Sequence, residues 1–133
     1  EEALPYIDVI SIQPNGCSFD KNYFRMINQL TGKPIIICDH QCSFPTENHA
    51  HTMWEQFKNQ RKASNNYSKI VISAVNEPYL LGYHRCQYID RFNKKNKLLK
   101  QGMVKENGDI YQPQAKIISR LNKKVKKIFN ERI

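Results

Sequence analysis

No stretch of this 133-residue sequence is apolar for long enough to cross a bilayer. The longest runs, Ala3-Leu4-Pro5-Tyr6-Ile7 and Ile35-Ile36-Ile37-Cys38, fall far short of the roughly 20 residues a span needs. There is also no charged-then-apolar leader with a small-residue cleavage site, so a membrane partner is not expected. Cysteine is sparse. Cys17, Cys38, Cys42 and Cys86 lie in or beside apolar runs, unlike the dense, loop-rich spacing of a disulfide-stapled secreted domain. They are expected as reduced thiols, which favours a cytoplasmic location. Cys38, His40, Cys42, His84 and Cys86 cluster in sequence, but no second Cys-x-x-Cys or His pair completes a zinc spacing. No metal and no cofactor is expected. A thiol nucleophile at Cys42 with His84 as base has no stronger support.

What is present is ordinary globular composition, 40% apolar and 25% charged, enough for one domain with a buried core. The net charge of +9 is uneven. Residues 1–90 carry eight basic and nine acidic groups, and residues 91–133 carry 13 basic and three acidic. Most of the last lysines (Lys116, Lys123, Lys124, Lys126, Lys127) share a segment with Ile118, Leu121, Val125 and Ile128, spaced by three or four. That pattern reads as an amphipathic helix with a solvated outer face, and no nucleic-acid motif accompanies it, so nucleic acid is not expected as a partner.

Hydrophobic periodicity divides the chain into β-α units. Residues 6–12 are rich in β-branched side chains and run into Pro14-Asn15-Gly16, a strand ending in a turn. Ser18 or Asp20 can cap a helix that carries Tyr23, Ile27 and Leu30 at i, i+4, i+7 and stops at Gly32. Ile35–Cys38 is apolar without alternation, as for a parallel strand covered on both faces. A long polar connector follows, containing His40, His49, His51 and the single Trp54. Ala63, Tyr67, Ile70, Val71 and Ala74 mark a second helix, stopped by Pro78, and residues 79–84 begin a third strand. Such repetition implies right-handed crossovers and a parallel sheet. It fits a small doubly wound sheet or a piece of a (β/α)₈ barrel, whose full form needs roughly 250 residues. Either way the chemistry belongs at the carboxyl ends of the strands.

Asp39 ends the second strand, where rigid backbone and partial desolvation suit a nucleophile or general base. The plainer readings are a loop cap or a pair with Arg85. After the third strand, Tyr83-His84-Arg85-Cys86-Gln87-Tyr88-Ile89-Asp90-Arg91 is more polar and aromatic than packing requires. Alternation sends His84, Cys86 and Tyr88 to one side. His84 can orient a carboxylate or serve as a hydrogen-bonded structural histidine.

Lys33–Asp39, Ser43-Phe44-Pro45-Thr46, Pro78–Arg91 and Gln101–Tyr111, in this order, resemble the C-terminal part of retaining (β/α)₈ glycoside hydrolases, nearest to β-agarase and β-galactosidase-like members. The resemblance runs from about Tyr6 to Arg120. It implies an α/β fold, a partial (β/α)₈ (TIM) barrel of three C-terminal β-α units with parallel strands. Residues 1–133 would form one partial domain, its strands the sixth, seventh and eighth of the barrel. The seventh strand of that family ends in the nucleophile, usually Glu, and the position falls on Asp39, one methylene shorter.

The family's acid/base residue comes from the fourth strand, commonly in an Asn-Glu pair, and would lie before Glu1. A retaining mechanism places the two carboxyls roughly 5–5.5 Å apart. Asn76-Glu77-Pro78 copies those letters but enters the third strand at its amino end, so Glu77 should face away from Asp39. Arg85 stands where the family has an aromatic, and Gln13-Pro14-Asn15 where it often has a Tyr. The resemblance implies a carbohydrate site with Asp39 as catalytic carboxylate. Gln13, Asn15, His40, Phe44, Trp54, His84, Arg85, Gln87, Tyr88 and Asp90 would be the sugar-binding candidates. The implied ligand is an oligo- or polysaccharide, with galactose-containing ones among the candidates. Alone, the chain is expected to be inactive, and either to self-associate or to pair with an N-terminal barrel half. A binding module without chemistry is the alternative.

Overall fold

The computed structural model describes residues 2–14, 16–46, 50–52, 56–92, 95 and 98–132. After a 3₁₀ turn at Leu4–Tyr6 come β1 (Ile10–Ile12), α1 (Lys21–Thr31), β2 (Ile35–His40), α2 (Gln60–Val75) and β3 (Leu80–Arg85). A short hairpin of β4 (Arg91–Phe92) and β5 (Leu98–Lys100) precedes α3 (Gln112–Asn130). The first strand is shorter than the sequence suggests: Tyr6 belongs to the 3₁₀ turn that Pro5 helps form, and strand pairing begins only at Ile10.

The helix signals act where they stand. The Asp20 side chain accepts from Tyr23 N at 3.0 Å, capping α1, and Gly32 closes it in the left-handed region with its N–H donating to Asn28 O at 2.8 Å. Asn59 caps α2 through Lys62 N. The buried stripe of α1 is not the expected one. Phe24 and Ile27 pack inward, leaving Tyr23 and Leu30 exposed, since the large aromatic at position 24 gains more by burial than its phenolic neighbour. On α3 the pattern holds: Gln114, Ile118, Leu121 and Val125 are buried and the five lysines are exposed.

The sheet is parallel, with Ile10 opposite Ile35 and Ile12 opposite Ile37, then Ile35 opposite Leu80 and Ile37 opposite Tyr83. Its order is β1-β2-β3, the same as in the chain. Right-handed crossovers that always step to the same side place every connecting helix on one face. A doubly wound sheet reverses direction and covers both faces, so this sheet is singly wound. Burial agrees. Ile35, Ile37 and Leu80 join Phe24, Tyr67, Ile70, Val71, Ala74 and Val75 in one core, each large apolar side chain contributing roughly 1.5–3 kcal/mol. On the other face Ser11, Leu81 and His84 are exposed, and Ile36 and Cys38 are only half-buried. The unalternating run at Ile35–Cys38 therefore has one covered face, not two. No described helix is long and apolar enough to cross a membrane.

Candidate functional site

Asp39 lies at the carboxyl end of β2. Regular β2–β3 pairing breaks between Ile37 and His40, and within that break Asp39 takes φ 48°, a left-handed conformation that Asp tolerates better than most residues. The turn sends its carboxylate out of the ladder, where Lys100 Nζ, from the end of β5, donates to both oxygens at 3.0 and 2.9 Å. The sequence offers Arg85 as the partner for Asp39. The structure gives Lys100, because Arg85 turns under the sheet end to Gln87 O at 2.9 Å and over the Tyr67 ring.

The Cys86 thiol and the Lys100 ammonium donate to Asp39 and outweigh its desolvation, holding its carboxyl below the ordinary range. The same contacts hold Lys100 cationic, while burial and the neighbouring carboxylate push the Cys86 thiol up. At neutral pH the cluster is carboxylate, ammonium and neutral thiol. Asp39 keeps about a third of its side chain in solvent, against 18% for Lys100.

A second grouping gathers other candidates. A cavity of about 600 Å³ between β3 and α3 is bordered by His84, Arg85, Gln87 and Tyr88, with Tyr83 and Asn122 joined by a 2.5 Å hydrogen bond at its wall. Four sugar-site candidates thus share one cavity, and Tyr88 offers a largely exposed ring. Gln13 borders a different cleft, with Ser18, Asp20 and Tyr23. Asn15 and Trp54 lie outside the described residues.

Two further candidates are built into the interior and a third, Asp90, is half-buried. His40 is 1% exposed, its Nε2 bonded to Gly16 O at 3.0 Å and its ring stacked on Tyr67; burial holds the imidazole neutral against the pull of Gly16. Phe44 is buried edge-on against Tyr111, with its backbone N and O both bonded to the Gln101 amide at 3.1 Å. Asp90 is spent on Gly102 N at 2.6 Å and Tyr111 OH at 2.7 Å, pinning the chain before α3.

Lys100 and Gln101 are the residues that sequence reading passes over. Their signal is faint: a partly desolvated Asp39 calls for a cation, and a loop with many lysines does not say which one. Glu77 is at the other end of the sheet, buried and paired with Lys21 at 2.5 Å and Arg25 at 3.5 Å. Among the described residues no three His, Cys, Asp or Glu side chains gather as a metal site.

No protein-family model and no curated protein sequence matches the chain. Solved structures do. An exo-β-agarase is similar over 95% of this chain and 18% of its own, at 22% identity and TM-score 0.83. The agarase AgWH50C is similar over 95% and 20%, at 19% identity and TM-score 0.82. A β-glucuronidase of Bifidobacterium dentium, in complex with coumarin-3-O-glucuronide, covers 87% and 21%, at 14% identity and TM-score 0.64. The chain thus has the fold of a segment of these glycosidases and spans about a fifth of their length.

Proposed function

We propose that the chain is the nucleophile-side segment of a (β/α)₈ carbohydrate-active barrel of the glycoside hydrolase kind, with β1, β2 and β3 as its sixth to eighth strands. The observation that carries this reading is the singly wound sheet with Asp39 at its carboxyl end, in a chain that follows agarase structures over nearly all its length. Asp39 stands at the position for attack on an anomeric carbon. His84, Gln87 and Tyr88 line the cavity between β3 and α3, with Tyr88 as a stacking platform for a sugar ring. Galactose-containing oligosaccharides are the first ligands to try, given the agarase likeness.

Two features of the surface support a missing counterpart. Among the described strands, β1 and β3 each pair on one side only, and the uncovered face shows Leu81 and Val9. Unpaired parallel edges recruit further strands, supplied by the rest of the barrel or by a second copy. Sedimentation should therefore show self-association of the chain alone; a compact monomer counts against this.

The deciding experiment measures aryl-glycoside hydrolysis and calorimetric oligosaccharide binding, by the chain alone and as part of a full-length barrel. The expected result is no turnover alone, and turnover in the full barrel that Asp39→Asn removes. Turnover by the chain alone would overturn the reading. Lys100 favours a second reading, a binding site without chemistry, because it engages both oxygens a nucleophile would use. Binding with no turnover in the complete barrel, unaffected by Asp39→Asn, selects that reading.

A further inference from the structure

Away from Asp39, two cysteines from different loops face each other. Cys17 follows β1 and Cys42 follows β2, and their sulfurs lie 2.8 Å apart. The approach is not left to two side chains. On one side of Cys17, the Gly16 carbonyl is bonded to His40 Nε2 at 3.0 Å. The Cys17 carbonyl itself accepts from Asn66 Nδ2 of α2 at 2.9 Å, and the same amide lies 3.6 Å from Cys42 Sγ. The β1–α1 loop is thereby clamped on the end of β2, with both sulfurs at the clamp. A movement of under about 1 Å would bring them to the roughly 2.05 Å of a covalent bond.

We propose that Cys17 and Cys42 form a reversible dithiol–disulfide pair that closes on exposure to a small-molecule disulfide such as oxidised glutathione. Burial sets the order of events. Cys17 is partly exposed and Cys42 is 2% exposed, so Cys17 meets the oxidant first. Its thiolate attacks one sulfur of oxidised glutathione; that S–S bond breaks and one glutathione thiolate leaves. The Cys42 thiolate then attacks Cys17 Sγ in the mixed disulfide, forming the protein disulfide and expelling the second glutathione. The two cysteine protons end on the two glutathiones, the protein sulfurs being oxidised and glutathione reduced. Closure ties the loop bearing Gln13 to the strand bearing Asp39, whatever ligand the site takes.

The test reduces the protein fully, exposes it to oxidised glutathione, alkylates the remaining thiols, and maps peptides without reductant. The expected result is a single linked peptide joining Cys17 to Cys42, with Cys38 and Cys86 alkylated and dithiothreitol restoring all four thiols. The oxidised form should melt roughly 5–10 °C higher than the reduced one, as closing a loop of this length does. Cys17→Ser should leave Cys42 without a glutathione adduct. A stable glutathione adduct on Cys17 beside an unreacted Cys42, alkylation of all four cysteines, or a link through Cys38 or Cys86 would each overturn the proposal. The peptide map of the unaltered chain decides even where the serine variant does not fold.

Discussion

Two carboxylates, Glu77 and Asp39, each paired with lysine, occupy opposite ends of the same sheet. At the amino end Glu77 is 5% exposed and is gripped by Lys21 and Arg25 from successive turns of α1. Burial pushes its carboxyl up, but the two cations outweigh that and hold it below the ordinary range. Asp39 has one cation, more solvent and a left-handed backbone in a broken stretch of ladder. The Glu77 cluster joins α1 to the start of β3 with its carboxylate buried and its two cations half exposed. The Asp39 cluster holds a charged group at a solvent boundary on backbone that a purely structural ion pair does not require. A carboxylate–cation cluster is buried at one end and left at a solvent boundary at the other.

That contrast can be broken in four ways, taken from the largest expected effect down. If the Asp39 end is held by backbone packing and not by its ion pair, Gly102 should be its most sensitive point. A Cβ there would lie 2.5 Å from Ile89 C and 2.6 Å from Asp90 N and Tyr88 O, all backbone atoms. Gly102→Ala should cost about 3 kcal/mol or more in urea unfolding; a loss under ~1 kcal/mol would mean that this end is plastic.

Glu77→Gln comes next, at about 2 kcal/mol, because it removes charge-assisted bonds at a buried site while leaving two half-exposed cations. Acid titration then compares the two ends, whose carboxyls are both held low. A carboxyl held low in the folded state adds stability above its unfolded value, about 4.3 for Glu, and loses it as pH falls through the folded value. Glu77→Gln should therefore flatten the acid limb of the stability curve more than Asp39→Asn does. Equal flattening would erase the distinction. The smallest effect is Asp39→Asn on stability itself, within ~1 kcal/mol, since the pair is partly exposed and Asn also tolerates the left-handed region. A thermal melt displaced as far as that of Glu77→Gln would recast Asp39 as a structural residue.

Much of the architecture is legible in local signals. Asp20, Gly32 and the 118–121–125 stripe act through their nearest turns, and such short-range rules survive folding. The resemblance to glycosidases agrees with the solved structures the chain follows and with its three-strand parallel sheet and helices, and the position of Asp39 at a strand end follows from the apolar run before it. Long-range partnerships are harder to read. His40, Phe44 and Asp90 look like site residues because they neighbour Asp39 and Tyr88 in sequence, yet each is committed to a distant group: Gly16, Gln101 and Tyr111. Period-two alternation also misleads at residues 39–41, where the ladder breaks and His40 turns into the core. Lys100 arrives from a hairpin with no apolar pattern of its own, so nothing in its surroundings sets it apart from the other lysines.

The coincidence of strand order with chain order bears on how the molecule is made. Ile10 finds its partner at Ile35, and Ile35 finds its own at Leu80, so each strand is completed by the next one to leave the ribosome. Among the described strands of this sheet, each pairing joins strands adjacent in the chain, and each connection closes over a single helix, which keeps the entropic barrier to each step modest. Such a chain can assemble in the direction of its synthesis, adding one helix-backed strand at a time.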